Sequence, residues 1–418
     1  MRSLTKKLKK IWWGIKSFGA MHYYGNPSKK LKIVGVTGTN GKTTTATLLY
    51  KIATELGYKA GLVSTVENIV VKEIRPATHT TPDSITLTKL FSDMVKSGCE
   101  YAFMEVSSHA LDQNRVAGVS FVGGIFTNLT HDHLDYHKNF DNYFGAKKKF
   151  FQMLPSRAFA LANIDDEYGK KILEGIKANQ FSYGFGEFAG VGHPTGQYFH
   201  GEIKKLDFSG MELDFNKEKI RSKLLGKFNA YNLLAVWSAS SLLGFDMKKV
   251  NKILETIEPP RGRFQHFLSS SGVMVVVDYA HSPDALEKIL LAIQEVNQAG
   301  GKVISIFGCG GDRDPLKRPI MGKIGVRHSD IAIFTSDNPR SEDPEKIISE
   351  MLVNLHSDEL KKVTTITNRR EAIQESVKLA QKGDIIVCAG KGHETYQEVK
   401  GVKSHFDDME EFKKAYEK

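Results

Sequence analysis

An apolar run, Ile33-Val34-Gly35-Val36-Thr37, passes directly into Gly38-Thr39-Asn40-Gly41-Lys42-Thr43-Thr44-Thr45 and then into a stretch of helical character. A strand that turns through glycines into the start of a helix is a phosphate cradle. Its backbone N–H groups can turn inward and the helix N-terminus adds partial positive charge. Lys42 can reach terminal phosphates, and a threonine hydroxyl can hold Mg²⁺. The general pattern asks for glycine five residues before Gly41, where this chain has Val36, so the loop is a variant.

The surrounding pattern sets the fold class. Apolar runs at 33–37, 61–65, 101–106, 121–127 and 158–162 read as buried strands, with helical patterns at 43–56, 84–97 and 141–153 between them. That alternation implies a parallel sheet covered by helices on both faces. Shorter mixed runs from 180 to 225 read as extra strands, and 229–243 and 247–257 as helices. Pro259-Pro260-Arg261-Gly262-Arg263 is a breaker cluster and a hinge candidate. Beyond it the alternation restarts, with strands at 273–278, 302–307, 331–335 and 384–388 and helices at 283–297, 344–355 and 369–381. The expected architecture is α/β: a basic arm and linker over 1–31, a P-loop-type parallel-sheet ATP-binding domain over 32–258, and a Rossmann-like α/β domain over 259–418.

Charge and cysteines narrow the partners. The net charge of +10 suggests nucleic acid, but residues 1–32 carry nine Lys or Arg and no acid, leaving 49 basic against 48 acidic residues elsewhere. The basicity belongs to the arm, and with no aromatic-basic motif in the body a nucleic-acid partner is not expected. In the arm, Leu4, Leu8, Ile11, Trp12, Ile15 and Phe18 fall on one helical face over 4–18, with Trp13 off it. Such a helix either packs on its own protein or lies against an anionic membrane or a protein partner. Cys99, Cys309 and Cys388 are too dispersed for a disulfide framework or a CxxC site, which suits a reducing cytoplasm. No run of apolar residues is long enough to span a bilayer.

Two strand ends carry further chemistry. Met104-Glu105-Val106-Ser107-Ser108-His109 lies at the carboxyl edge, where open α/β sheets bind ligands, and Glu105 suits Mg²⁺. Thr127-Asn128-Leu129-Thr130-His131-Asp132-His133-Leu134-Asp135-Tyr136-His137 suggests metal or phosphate work, with Mg²⁺ favoured over a zinc site built from His131, His133 and His137. In the run Lys147-Lys148-Lys149, the last two read as a solvated face.

These residues together resemble the Mur ligase family, from about Tyr24 to the C-terminus. Beyond the phosphate loop, the carriers in the first domain are Tyr24-Gly25-Asn26-Pro27-Ser28, His79-Thr80-Thr81-Pro82-Asp83, Glu105 to Leu111, Asp132 to His137, Ala146-Lys147 and Gly226 to Asn232. In the second they are Asp278 to Asp284, Gly308 to Asp314, Asp337-Asn338-Pro339-Arg340 and Ala389 to Glu394. The resemblance implies an ATP-dependent ligase of peptidoglycan precursor synthesis that makes an acyl-phosphate and then an amide. It implies ATP contacts from Gly38, Thr39, Asn40, Gly41, Lys42, Thr43, Thr44 and Asn128, from Asn232 toward adenine, and from His281. Mg²⁺ would be held by Thr43, Glu105, His133 and Lys147, the last carbamylated by CO₂. Lys42, Glu105, His133 and Lys147 would be the catalytic set, and Thr80, Thr81, Ser107, Gln113 and Arg115 would bind a UDP-N-acetylmuramoyl-dipeptide acceptor.

Arg313, Asp337, Asn338, Arg340, Gly390 and Glu394 would bind the incoming amino acid, and an Arg at 340 matches the version associated with meso-diaminopimelate. A guanidinium grips a carboxylate in bidentate fashion, and diaminopimelate has one carboxylate more than lysine. Two departures stand out. Relatives in this family carry an N-terminal UDP-binding domain, whereas only residues 1–31 precede the ATP-binding domain here, so a uridine site is expected to be missing; the alternatives are an amide ligase of the same fold acting on a different carboxylate acceptor, and a catalytically silent nucleotide-binding partner protein. Asn368-Arg369 stands where relatives often show Asp-Arg.

Overall fold

The computed structural model describes residues 2–130, 134–186, 197–297 and 300–417. The chain divides into two compact units, Met1–Glu258 and Pro259–Lys418. The first is built on eleven strands: β1 (Lys32–Thr37), β2 (Ala60–Val63), β3 (Glu67–Val70), β4 (Glu73–Pro76), β5 (Tyr101–Glu105), β6 (Phe121–Phe126), β7 (Phe159–Asn163), β8 (Asn179–Gly184), β9 (Gln197–Asp207), β10 (Gly210–Phe215) and β11 (Glu218–Ser222). Their order across the sheet is β11-β10-β9-β8-β7-β6-β1-β5-β2-β3-β4. The middle, from β2 through β5, β1, β6, β7 and β8 to the start of β9, is parallel. Antiparallel hairpins extend both edges.

The central strands are apolar at nearly every position because both sheet faces are covered. Successive side chains point to opposite faces, and the core divides accordingly. Val34, Val36, Phe103, Ile125 and Leu161 pack on one side with helices Lys42–Glu55 and Lys227–Leu242. Ile33, Ala102, Met104, Phe126 and Ala160 pack on the other with helices Ser84–Lys96 and Phe140–Met153. This arrangement leaves the carboxyl ends of β1, β5 and β6 side by side.

The second unit has a six-stranded sheet of β12 (Gln265–Leu268), β13 (Met274–Asp278), β14 (Val303–Phe307), β15 (Ile331–Phe334), β16 (Val363–Thr365) and β17 (Ile385–Ala389), in the order β12-β13-β17-β14-β15-β16. All pairs except β12 with β13 are parallel. A hairpin of β18 (Tyr396–Val399) and β19 (Val402–His405) follows, then helix Asp408–Tyr416. Arg369, fully buried, donates to both oxygens of buried Asp408 at 2.7 and 2.8 Å, tying the last helix to the sheet. Asn368 caps its helix by accepting from the Arg370 N–H, the service an aspartate gives at that position.

The arm forms one helix, Arg2–Tyr23, longer than its sequence pattern suggests. Its packing face also differs from the apolar stripe. Ser17 Oγ donates to the Ala117 carbonyl at 2.7 Å, and Ala20 and Met21 are buried. Trp12, Ile15 and Phe18 stay more than half exposed, while Trp13, off the stripe, is half-buried. Ser17 and Ala20 let the helix approach the body closely, and Met21 fills the body's core beside them. The side chains of Leu4, Leu8 and Ile11 lie outside those described. Among the described residues no helix is long and apolar enough to cross a membrane, and the three cysteines are buried and unpaired.

Candidate active site

The loop after β1 is a compact turn that only glycine permits at two points. Gly38 and Gly41 have φ of 154° and 83°. A Cβ on Gly38 would lie 1.9 Å from Thr127 Oγ1, and one on Gly41 would lie 2.4 Å from Asn232 Oδ1. The end of β6 braces the turn: the Asn40 N–H donates to Asn128 Oδ1 at 2.9 Å and the Thr39 N–H to the Asn128 carbonyl at 2.9 Å. Thr127 Oγ1 donates to the Asn40 carbonyl at 2.6 Å. Lys42 Nζ lies over the loop, donating to the carbonyls of Gly38 and Thr39 at 3.0 and 2.8 Å. Thr43 and Thr44 are buried in the first turn of the helix. Asn232 is buried beneath the loop, its Oδ1 accepting from Thr45 Oγ1 at 3.5 Å and its amide donating to Asn229 Oδ1.

Lys147 joins this loop from helix Phe140–Met153. It is buried, its Nζ donates to the Gly38 carbonyl at 2.6 Å, and it lies 4.6 Å from the centroid of the Tyr143 ring. The Tyr143 hydroxyl in turn shares a hydrogen bond with Thr39 Oγ1 at 3.0 Å. Lys148 and Lys149 are not a solvated face. Both are half-buried and donate to carbonyls, those of Lys171 at 2.7 Å and Leu111 at 3.2 Å, and Lys149 also meets Asn114. A lysine stem can lie along a surface while its ammonium reaches a neighbouring helix end, which a charge run alone does not reveal.

Glu105 ends β5, beside Val36 of β1, and is buried. One oxygen accepts the Thr65 N–H at 2.7 Å, and Oε2 has no hydrogen-bond partner among the described residues. A buried carboxylate oxygen left bare is costly unless something binds it, and next to a phosphate loop a hard cation fits that oxygen. His133 lies outside the described residues, as do His131 and Asp132. His137 is buried with Nε2 3.0 Å from Ser108 Oγ.

The residues assigned to the acceptor form one network running to Glu105. Thr81 Oγ1 donates to the Glu105 carbonyl at 2.8 Å and accepts the Ser107 N–H at 3.0 Å. Arg115 donates to the Thr81 carbonyl at 2.7 Å and, through Nε and Nη2, to Gln113 Oε1 at 3.0 and 2.7 Å. Thr80 Oγ1 meets Thr65 Oγ1 at 3.0 Å. Thr65 is a site residue the sequence did not single out, because its place depends on β2 lying next to β5.

In the second unit a polar cluster is built from two loops. Asn338 donates to Glu394 Oε2 at 2.7 Å and accepts from buried Lys391 at 3.1 Å. Lys391 Nζ also lies 3.3 Å from Glu394 and 3.7 Å from Asp337, whose buried Oδ1 has no hydrogen-bond partner among the described residues. Burial, then repulsion from Asp337, raises the Glu394 pKa above the usual carboxylate value. Gly390 has φ of 116° and passes Asp337 closely. Lys391, present in the motif but given no role from sequence, sits between the two acids. Arg340 and Arg313 both flank Gly310: a Cβ there would be 3.0 Å from Arg340 Nη1 and 3.8 Å from Arg313 Cγ. His281 is exposed, with Nδ1 2.8 Å from the Tyr279 carbonyl. The Tyr279 ring also lies 4.7 Å from the tilted ring of His393, whose pKa burial and the nearby Arg263 and Arg261 push down to about 4.

A glycine-turned loop between a parallel strand and a helix N-terminus, with one buried carboxylate oxygen left bare a strand away, defines a P-loop-type nucleotide-binding protein. Residues 36–240 match the Mur ligase middle domain, and residues 262–392 match the Mur ligase glutamate ligase domain. The chain belongs to the Mur ligase family, whose members are ATP-dependent and generally require Mg²⁺. It is 51% identical over 389 residues to UDP-N-acetylmuramoyl-L-alanyl-D-glutamate--2,6-diaminopimelate ligase of Cytophaga hutchinsonii, covering 93% of this chain and 78% of that one. It is 50% identical over 397 residues to the enzyme of the same name from Bacteroides fragilis, covering 95% and 80%. A solved structure of a ligase of that name superposes with a TM-score of 0.65 at 32% identity, covering 93% of this chain and 78% of that one.

Proposed function

We propose that this chain is an ATP-dependent ligase that joins meso-diaminopimelate to the glutamate carboxylate of UDP-N-acetylmuramoyl-L-alanyl-D-glutamate. The carrying observation is the second unit's cluster. Asp337 and Glu394 both face Lys391 and offer carboxylate oxygens suited to an ammonium, and Arg313 and Arg340 nearby suit a carboxylate. Relatives at about half identity bear the corresponding name.

In this reading the acceptor carboxylate takes the γ-phosphoryl group of ATP, giving ADP and an acyl-phosphate. The amino group of diaminopimelate then attacks the acyl carbon. The C–O bond to phosphate breaks, phosphate leaves and the amine loses a proton. Such transfer needs positioning and charge neutralisation more than covalent help from the protein. Lys42 and the loop N–H groups other than those of Thr39 and Asn40 would receive the phosphates, with Asn128 bracing the turn through those two. The Thr81, Ser107 and Arg115 network holds the acceptor near Glu105. Thr43, Glu105, His133 and a carbamylated Lys147 would hold Mg²⁺, which when bound neutralises phosphate charge.

The test is phosphate release from ATP with the UDP-linked dipeptide, comparing meso-diaminopimelate with L-lysine. Release that requires both the dipeptide and diaminopimelate is expected. Release without diaminopimelate, or equal release with lysine, would overturn the assignment.

We also propose that the arm helix contacts an anionic membrane surface. Exposed Trp12, Ile15 and Phe18 on a segment without acidic residues support it, as amphipathic basic helices of this kind settle at charged interfaces. The protein should co-sediment with phosphatidylglycerol vesicles and not with phosphatidylcholine vesicles. The double variant Trp12→Glu, Phe18→Glu and high salt should each release it. Equal sedimentation of variant and parent would rule the contact out.

A further inference from the structure

We infer that Arg318, gripping Glu342, is a positioning residue that fixes the two loops carrying Arg313 and Arg340. This rests on the proposed use of those arginines for the amino-acid substrate.

The two loops leave adjacent parallel strands, Gly308 to Asp314 after β14 and Asp337 to Arg340 after β15. They are bonded to each other directly. The Gly311 N–H donates to the Asn338 carbonyl at 2.9 Å, Arg340 Nη1 to the Gly311 carbonyl at 2.7 Å, and Ser341 Oγ to Asp312 Oδ1 at 2.5 Å. Asp312 and Arg340 both hold left-handed backbone, with φ of 55° and 51°. Side-chain-bearing residues keep that conformation only where the surroundings hold it.

Glu342 supplies the hold. Its Oε1 accepts the Asp312 N–H at 2.6 Å, at the left-handed residue next to Arg313. The same carboxylate takes both ends of the Arg318 fork, at 2.8 and 2.9 Å. Arg318 is almost wholly buried on helix Lys317–His328, and its Nη1 also donates to Glu350 at 2.7 Å on helix Pro344–Leu352. Arg318 holds Glu342 below the usual carboxylate range, at about 2, so this carboxylate stays charged. The chain of support therefore runs from a buried guanidinium, through one carboxylate, to the Asp312 backbone beside Arg313, and from the Asp312 side chain to Ser341, the residue after Arg340. Arg318 touches neither arginine. It acts on where they stand.

The prediction separates positioning from folding. Arg318→Lys keeps the charge and loses the two-pronged fork. It should raise KM for diaminopimelate on the order of tenfold to a hundredfold while KM for ATP and kcat at saturation change little, since misplacement by about 1 Å has effects of that size. Glu342→Gln keeps an acceptor for the Asp312 N–H and should shift the same KM less. Glu350→Gln, which touches neither loop, should leave it unchanged. A structural role alone would lower the melting temperature and all parameters together. An independent readout needs no substrate: amide exchange in Arg318→Lys should speed up over 308–316 and 337–343 and stay as in the parent over the phosphate loop. If a different amino acid proves to be the substrate, the exchange pattern still tests the clamp and the earlier reading fails alone. Unchanged exchange in these loops, or a folded Arg318→Lys with the parent's amino-acid KM, overturns it.

Discussion

Replacing Lys147 with alanine is expected to lower turnover by on the order of a hundredfold to a thousandfold, the size of effect seen when one charge-stabilising group is removed from such a site. Added bicarbonate should not help the variant, but short carboxylic acids should restore part of the loss. The reason lies in where the side chain ends. Lys147 is buried, and its Nζ reaches the Gly38 carbonyl at 2.6 Å, in the turn proposed to receive phosphate. An ammonium there adds one more cation beside Lys42. A carbamate, if formed by the neutral amine adding to CO₂ with loss of a proton, would keep one N–H that could serve the Gly38 carbonyl and would present two oxygens, which are the ligands a hard cation takes. Tyr143, which lies under Nζ and bonds Thr39, would keep the emptied space open for a small acid. Phosphate release measured across acetate and propionate concentrations checks this, with melting temperature as the control. Full activity in Lys147→Ala would remove Lys147 from the machinery, and loss that no small acid relieves would make it a structural support of the loop.

What could be read from the sequence depended on how local the cause was. The central strands were legible because burial on both faces makes them apolar runs, and helices such as Ser84–Lys96 because only one stripe is buried. The hairpin of β3 and β4 was not, since β4 is largely exposed and short. The strands β18 and β19 carry no burial rhythm for the same reason. Helix Lys317–His328 was not among the expected helices, and it contains Pro319, Gly322 and Gly325, residues of low helix propensity. In the fold those glycines serve close packing: a Cβ on Gly322 would be 2.0 Å from the Met351 carbonyl oxygen, and one on Gly325 would be 2.1 Å from the Phe307 ring. The site divides the same way. Glu105, Lys42 and Thr81 lie in recognisable motifs. Thr65 and Arg318 matter only through neighbours far away in sequence, and the arm's contact face could not be read because it mixes Ser17, Ala20 and Met21 and leaves much of the apolar stripe outside.

Arg340→Ala should lose its preference for diaminopimelate over lysine. A charged hydrogen-bonded contact contributes about 1.5–3 kcal/mol, so KM for diaminopimelate should rise roughly tenfold to a hundredfold. KM for L-lysine should barely move, because lysine has no distal carboxylate to lose. The geometry makes Arg340 suited to this discrimination. Its backbone is pinned on both sides, the N–H to the Glu398 carbonyl at 3.1 Å and the carbonyl to the Lys400 N–H at 2.6 Å. Among the described residues its guanidinium has one hydrogen-bond partner, the Gly311 carbonyl at 2.7 Å. A guanidinium has five N–H donors, so donors remain for a carboxylate in a planar, two-pronged arrangement. Arg340→Lys should therefore rescue little, since an ammonium offers a point charge without the fork. The ratio of kcat/KM for the two amino acids is the deciding measurement. If that ratio is the same in Arg340→Ala as in the parent, the discrimination does not come from this residue, and Arg313, on the other side of Gly310, becomes the side chain to vary.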